Sequence, residues 1–330
     1  MVTTMGLAWS MPRAAIVFNP VKVDQDRLRA AIGAAERDHG WSPTLWLETT
    51  VDDPGAGQST EALDAGVDMV VAAGGDGTLR AVSEGLRNSG VPLGLLPAGT
   101  GNLLARNLDL TIDDLENSVQ TAFGGTDREI DLGVARLWRP DADQPVEHTF
   151  LVMAGLGLDA QMIANSDEKL KSKIGILAYV KSIFVSLREH RNLHLTYRRD
   201  GEDPRKAHIH TIMVGNCGSL QGNVMLLPDA AIDDGRLDLL ALKPEGPGGW
   251  GQVVWKVLVE NAVLRRFRFT RELPWVGRNS EGLNYEQCHR FEAHLSRPDE
   301  IELDGDEFGE VVRFVLEVDP GAITVRVPRD

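Results

Sequence analysis

The stretch that decides the fold is V-D-M-V-V-A-A-G-G-D-G-T, residues 67–78. Its apolar first part predicts a buried strand over Val67–Ala73, and the residues after it predict a helix over Leu79–Asn88. Glycines at such a strand-to-helix turn let the backbone approach a bound group closely, and the free N–H groups of the following helix suit phosphate. Asp76 within the turn indicates Mg²⁺ that bridges its carboxylate to phosphate oxygens. A plain tight turn is the alternative that this segment alone leaves open.

A second glycine-rich turn, Pro97-Ala98-Gly99-Thr100-Gly101-Asn102, follows the next apolar run, Val91–Leu96. Consecutive parallel strands end at the same edge of a sheet, so we expect both turns to face one crevice. Thr78 and Thr100 each offer a hydroxyl to a phosphate there. The turns match neither the Walker A pattern nor Gly-x-Gly-x-x-Gly with an acidic residue about 20 positions on, which disfavours hydride transfer on a dinucleotide. The pair of turns therefore predicts phosphate handling.

Strand-like and helix-like segments alternate through the first third of the chain. This alternation, with short connections, predicts a parallel sheet covered by helices on both faces, as in a three-layer α/β nucleotide-binding domain. The other predicted strands are Arg13–Phe18 and Thr44–Leu47, and the other predicted helices are Asp26–His39 and Thr60–Ala65.

Strand-like segments dominate after about Asp131. Their hairpin-like spacing predicts mainly antiparallel sheets, in a β-rich sandwich domain. Two helices are predicted within this half, over Leu170–Glu189 and Trp250–Leu264. The predicted strands of this half are Thr149–Met153, Leu193–Arg198, Ala207–Val214, Arg236–Leu242, Arg266–Phe269 and Ile301–Asp304.

These patterns predict the domain organisation. We expect an α/β domain over residues 12–130 and a β-rich domain over residues 131–321, with a flexible extension over residues 1–11. Residues 322–330 alternate like a strand and are predicted to pack back onto the first domain.

Composition excludes several classes of protein. The 330 residues include 49 acidic and 34 basic side chains, so the net charge of −15 disfavours a nucleic-acid partner held by bulk electrostatics. The two cysteines, Cys217 and Cys288, lack metal or disulfide spacing, which favours a reduced, cytoplasmic protein. We expect neither a signal peptide nor a transmembrane segment. The choice between monomer and homodimer stays open.

Two further groups of residues are candidate sites. His208 and His210 fall on one face of a strand, but no third ligand has metal spacing, so we expect them to be structural. The segment Arg265–Arg271 alternates charged and aromatic residues, which is typical of a strand with one buried face. The functional alternative is a surface patch that binds lipid headgroups.

Taken together, the motifs resemble the diacylglycerol kinase catalytic-domain family, which includes bacterial soluble lipid kinases and the sphingosine and ceramide kinases. The resemblance runs through most of the chain and rests on several motifs in the family's order. They are Asn19-Pro20, G-G-D-G-T at 74–78, P-A-G-T-G-N at 97–102, G-L-G-L-D-A at 155–160, P-D-A at 228–230, D-D-G-R-L-D at 233–238 and L-D-G-D at 303–306.

The resemblance implies an ATP-dependent lipid kinase that works at the inner membrane surface, with ATP and a lipid as its partners. It implies a structural Mg²⁺ bound by Asp234 and the carbonyls of Ala231 and Arg236. The residues implied to hold ATP are Asn19, a threonine of the pair Thr49-Thr50 (Thr50 being our choice), Gly74, Gly75, Asp76, Gly77, Thr78, Gly99 and Thr100.

Asp306 corresponds to the family's glutamate, the general base that takes the proton of the substrate hydroxyl. Because Asp306 is one methylene shorter than glutamate, Glu307 is the alternative base. Asp76 and Asp304 are expected as further catalytic carboxylates. These residues come from both halves of the chain, so we expect catalysis in the cleft between the domains.

The chain departs from the family at several positions. Val21-Lys22-Val23 replaces the usual Ser-Gly, Leu79-Arg80-Ala81 stands where x-Asn-Glu is frequent, and Leu103 replaces a frequent Asp. Arg80, Leu103 and the aspartate at 306 keep open a non-catalytic ATP- or lipid-binding protein. An NAD kinase-like enzyme, which shares G-G-D-G-T, is the other alternative, although P-A-G-T-G-N and Asp304-Gly305-Asp306 do not resemble that class. The sequence does not name the lipid.

Overall fold

A computed structural model describes residues 11–157, 193–220, 224–227, 229–243 and 283–329. Its internal contacts divide the chain into two compact units. The first unit holds residues 1–98, 111–128 and 323–330, and the second holds residues 99–110 and 129–322. Both units therefore combine segments that are far apart in the sequence.

The first unit contains a parallel sheet in the order β2-β1-β3-β4, with the last residues of β16 beside β4. Residue Val325 of β16 pairs with Leu93 of β4 in parallel orientation. Its inner strands are buried on both faces, as expected for a parallel sheet between helices. The bounds are β1 Arg13–Phe18, β2 Ser42–Glu48, β3 Met69–Gly74, β4 Leu93–Pro97 and β16 Asp306–Val327.

Helices cover both faces of this sheet. The helices α1 and α5 pack on one face, where the core includes Ile32, Val71 and Phe123. Alternate strand residues such as Val70 and Ala72 are buried on the other face, toward α2 and α3. The bounds are α1 Gln25–His39, α2 Ala56–Asp64, α3 Asp76–Leu86 and α5 Leu115–Gly124. The three-layer α/β prediction is confirmed.

The second unit is built from antiparallel strands in the order β14-β13-β10-β7-β15-β16. The β8–β9 hairpin joins β15, and the β5–β6 hairpin joins β16. Its core contains three aromatic side chains with almost no exposure, Phe150, Phe291 and Phe314. The prediction of a β-rich antiparallel domain is confirmed.

One short helix and eleven strands make up the rest of the described elements, in chain order. They are α4 Leu103–Asn107, β5 Thr126–Trp138, β6 Val146–Phe150, β7 Met153–Leu156, β8 Leu193–Arg199, β9 Arg205–Ile209, β10 Thr211–Gly215, β11 Ser219–Leu220, β12 Val224–Met225, β13 Leu237–Leu242, β14 Leu283–Cys288 and β15 Arg290–Leu303.

Several predicted elements have other bounds in the structure. Helix α2 begins at Ala56 rather than Thr60, and β15 begins at Arg290 rather than Ile301. Helix α3 begins at Asp76 rather than Leu79, because extended Gly75 caps it and an acidic first turn suits the helix dipole. The strand predicted over Thr149–Met153 is divided, since its central N–H groups bond to a side chain instead of a neighbouring strand. The strand predicted over Ala207–Val214 is divided at His210.

Three other predicted elements lie outside the described residues. They are the helices Leu170–Glu189 and Trp250–Leu264 and the strand Arg266–Phe269, which belongs to the alternating segment Arg265–Arg271.

Candidate functional site

The ends of four parallel strands meet at one edge of the first unit. Asn19, just after β1, donates its N–H to the carbonyl of Ala73 at 2.9 Å, and Thr49, just after β2, donates its N–H to the carbonyl of Phe18 at 3.0 Å. The carbonyl of Gly74 accepts the N–H of Ala98 at 2.8 Å. The prediction that both glycine-rich turns lie at one edge of the sheet is therefore confirmed, for the second turn as far as Ala98.

Gly74 is required at the end of β3 by a close approach. A Cβ atom at this position would lie 2.6 Å from the Thr78 Cβ and 2.7 Å from its hydroxyl oxygen. Such distances are shorter than van der Waals contact, so only glycine lets Thr78 fold back over the strand end. Thr78 is buried, and Gly75, Asp76 and Gly77 are half-buried at the start of α3. The first turn of α3 thus presents its N–H groups at the edge where β3 ends.

The two threonines after β2 differ in exposure. Thr49 is buried and Thr50 is exposed. The Thr50 hydroxyl accepts the N–H of Asp53 at 3.0 Å, and the Thr50 N–H bonds to the carbonyl of Asp53. Thr50 therefore keeps its own hydroxyl proton for a further acceptor, and its role toward ATP stays a prediction.

The remaining part of the second glycine-rich turn belongs to the second unit. The Asn102 amide closes it in both directions, since Gly99 donates its N–H to Oδ1 at 3.0 Å and Nδ2 donates to the Gly99 carbonyl at 2.9 Å. Asn102 is buried and left-handed, with φ of 49°. Its side chain shapes the loop that carries exposed Thr100, a function that the sequence analysis did not assign to it.

The turn between β15 and β16 carries the predicted base. Asp304 and Gly305 are both left-handed, with φ of 53° and 91°, which gives a two-residue hairpin turn. Leu303 pairs with Asp306 across it. Asp306 and Glu307 are both exposed and, as neighbours on a strand, point to opposite faces. Only one of them can therefore face a substrate on a given side.

The Asp304 carboxylate, by contrast, is only 6% exposed and is bound by the protein itself. Its Oδ2 accepts the N–H of Leu151 at 2.8 Å, and its Oδ1 accepts those of Val152 at 2.8 Å and Met153 at 3.0 Å. The Asp304 N–H completes the contact by donating to the Met153 carbonyl at 2.8 Å. These bonds link two segments about 150 residues apart in the chain.

Two more buried polar residues extend this arrangement. The Asp131 carboxylate accepts the N–H of Gly235 at 2.6 Å and that of Gly321 at 2.9 Å. The Asn216 amide donates to the carbonyls of Asp131 at 2.9 Å and Leu151 at 3.1 Å. Asn216 could not be identified from the sequence, because a single asparagine after a strand carries no local signal of such long-range bonds.

The loop predicted to bind Mg²⁺ lies beside Asp131. Partial burial raises the pKa of Asp234, and the charges of Asp131 and Asp233 raise it further, against the N–H that Arg236 donates to Asp234 at 3.0 Å. A cation would relieve this repulsion, and one carboxylate with the carbonyls of Ala231 and Arg236 forms the oxygen set that Mg²⁺ prefers. These residues therefore suit the ion by donor type, and the site stays a prediction.

Side chains of metal-binding character (His, Cys, Asp or Glu) form no cluster of three or more that is arranged to hold a metal ion in the described ranges of the chain. His208 stacks on His194 with ring centroids 4.2 Å apart, and His210 contacts the Thr211 hydroxyl at 2.7 Å. Across these same ranges, no helix is long and apolar enough to cross a membrane.

Residues 16–135 match the model of the diacylglycerol kinase catalytic domain, and residues 151–246 match that of the YegS C-terminal NAD kinase beta sandwich-like domain. A Stenotrophomonas maltophilia protein named "Probable lipid kinase YegS-like" is 31% identical over 96% of each chain. The chain belongs to the diacylglycerol kinase family. The predicted family is thus confirmed, and its kinase activity implies ATP as the phosphoryl donor.

Two more proteins are similar to the chain. The diacylglycerol kinase of Bacillus subtilis is 26% identical over 91% of each chain. The crystal structure of a diacylglycerol kinase from Bacillus anthracis superimposes with a TM-score of 0.69 over 96% of each chain, at 19% identity. That structure shares the fold with this chain.

Proposed function

We propose that this family member transfers the γ-phosphoryl group of ATP to a hydroxyl group of a membrane lipid, with Asp306 as the general base. The observation that carries the proposal is the edge of the first unit, where the ends of four strands and the first turn of α3 come together. Backbone N–H groups and a helix start at such an edge are suited to bind phosphate.

The nucleotide is assigned to this edge and to the turn that follows it. Gly75, Asp76, Gly77 and Thr78 are assigned N–H groups, a hydroxyl and a carboxylate. Asn19, Thr50 and Gly74, which lie at or just after the ends of β1, β2 and β3, are assigned further contacts. Thr100, on the turn that Asn102 closes, is assigned a further hydroxyl contact. The N–H groups of the glycines suit a ligand recognised by its phosphates.

The reaction requires one proton transfer and one bond exchange. The lipid hydroxyl loses its proton to the Asp306 carboxylate while its oxygen forms a bond to the γ-phosphorus, and the bond from that phosphorus to the bridging oxygen of ADP breaks. Asp306 is exposed on the turn after β15, where a lipid hydroxyl can reach it.

Two Mg²⁺ roles belong to the proposal. Asp76 is assigned to a Mg²⁺ that neutralises phosphate charge when it is bound. Asp234 and the carbonyls of Ala231 and Arg236 would hold a structural Mg²⁺, whose charge would offset the repulsion of Asp234 by Asp131 and Asp233.

The test is Mg²⁺-dependent transfer of label from radiolabelled ATP to mixed micelles of hydroxyl lipids, with NAD as a parallel acceptor. The lipids are diacylglycerol, a sphingoid base, ceramide and phosphatidylglycerol. Label in one of them supports the proposal, label in NAD would favour the NAD kinase-like alternative, and ATP binding without transfer would favour a binding protein.

The matched variants are Asp306→Asn and Glu307→Gln, which remove one carboxylate each from opposite faces of the same strand. Loss of a general base lowers kcat by roughly a hundredfold or more, so we expect that loss for Asp306→Asn and less than about threefold for Glu307→Gln. The reverse order would assign the base to Glu307.

A further inference from the structure

We propose that Asp304 is a positioning residue, whose buried carboxylate fixes the hairpin turn that carries Asp306. This inference rests on the proposed function, because it concerns the placement of the proposed base. It replaces the expectation that Asp304 is itself a catalytic carboxylate.

The hydrogen bonds of Asp304 argue against direct chemistry. A carboxylate has about four lone-pair positions, and three backbone N–H groups, those of Leu151, Val152 and Met153, already occupy most of them. A general base or a metal ligand needs lone pairs directed at its target. Asp304 instead directs them at the segment between β6 and β7.

The same bonds support the left-handed backbone conformation of Asp304. A non-glycine residue is strained at φ of 53°, and Asp tolerates this region better than most residues. The carboxylate bonds hold Asp304 in that conformation, and Asp306 comes after one glycine. Since a shift of about 1 Å in a catalytic group can cost roughly a hundredfold in rate, a fixed turn has value for the chemistry.

A second turn in the same unit provides a matched control. Asp200 and Gly201 are also left-handed, with φ of 46° and 78°, and Asp200 Oδ1 accepts the N–H groups of His289 and Arg290 at 2.9 and 2.8 Å. This side chain is 40% exposed, and no proposed site residue belongs to its turn. The two Asp-Gly pairs thus share backbone geometry, but only the pair at 304–305 leads into a proposed catalytic residue.

The test compares Asp304→Asn with Asp200→Asn, each with and without Asp306→Asn, in the full-length protein. Asparagine keeps the shape and tolerates the left-handed conformation, but its amide nitrogen cannot accept the Leu151 N–H. We expect Asp304→Asn to lower kcat at least tenfold with the KM for ATP within about twofold, and Asp200→Asn to leave both unchanged. In the Asp306→Asn background, Asp304→Asn is expected to lower the residual kcat less than twofold, since its effect acts through Asp306.

Each other outcome has a distinct meaning. The positioning role would be overturned if the wild type is active and Asp304→Asn is equally active. It would also be overturned if Asp304→Asn lowers kcat by the same factor with and without Asp306→Asn. Thermal unfolding and ATP binding of each variant are measured alongside, so that a loss from misfolding is recognised by its effect on both. A wild type that labels no lipid would overturn the proposed function first, and the positioning role with it.

Discussion

In the first unit the candidate residues lie at the ends of parallel strands, whereas in the second they lie on turns held by buried side chains. The first arrangement uses glycines and backbone groups, as at Gly74 and Ala98. The second uses Asp131, Asn216 and Asp304, all bonded to backbone atoms of distant segments. A phosphate-binding edge can therefore arise from local geometry, while an accurately placed carboxylate needs partners from elsewhere in the chain.

Substitution of Gly74 should have the largest effect of the changes that probe this contrast. In Gly74→Val the new side chain would occupy the space of Thr78, and overpacking of this kind costs about 1–3 kcal/mol. We expect that loss in the free energy of unfolding, measured with urea, together with weaker ATP binding in calorimetry.

Gly33→Ala is the control for this substitution. Gly33 lies within α1, where a Cβ atom would meet its nearest neighbour, an Arg37 nitrogen, at 3.6 Å, an ordinary contact. Alanine favours a helix interior, so the free energy of unfolding should not fall. A similar loss of unfolding free energy in both variants would show that the close approach of Thr78 to Gly74 is not what makes glycine necessary.

Substitution of Asn216 tests the second arrangement. Asn216→Ala would leave the carbonyls of Asp131 and Leu151 without this donor in a fully buried place. Loss of such bonds costs about 1–3 kcal/mol, which urea unfolding would detect. Binding of ATP should change less than in Gly74→Val, and an equal change in both variants would contradict the contrast drawn between the two arrangements.

Thiol labelling should give the smallest signal and would sharpen the comparison. Both cysteines lie in the second unit and are buried, and burial raises the pKa of Cys288 to about 12. The thiolate is the reactive form, so we expect slow reaction with a disulfide reagent at about pH 8 in the native state and rapid reaction in urea. Faster labelling in Asn216→Ala than in Gly74→Val would show that loss of Asn216 exposes the cysteines of the second unit more than the change at Gly74 does.

Much of the first unit can be predicted from sequence because its signals are local. The apolar runs give β1 and β3, and Gly40, left-handed with φ of 71°, ends α1 where expected. The glycine-rich turn is also recognisable in the sequence, because the close approach of Thr78 to residue 74 requires glycine there.

Less of the second unit can be predicted from sequence, because the hydrogen bonds that hold its turns join segments that are far apart in the chain. The dipeptide Asp-Gly occurs four times, at 76–77, 200–201, 234–235 and 304–305, and the dipeptide alone does not distinguish the pair that precedes the proposed base. The break between β6 and β7 likewise depends on Asp304, about 150 residues away. Asp306 and Asp234 are identified by resemblance, whereas Thr100 follows from the pair of glycine-rich turns, and the functions of all three stay predictions.

Strand β16 also affects how the protein folds while it is synthesised on the ribosome. The first four strands of the first unit end at Pro97, yet the strand that covers the edge of β4 includes Val325. At about 5–20 residues per second, the roughly 230 intervening residues take on the order of 10–50 s to synthesise. During that interval the nascent chain has an open sheet edge at β4, which is a place for chaperones to bind and for neighbouring chains to mispair.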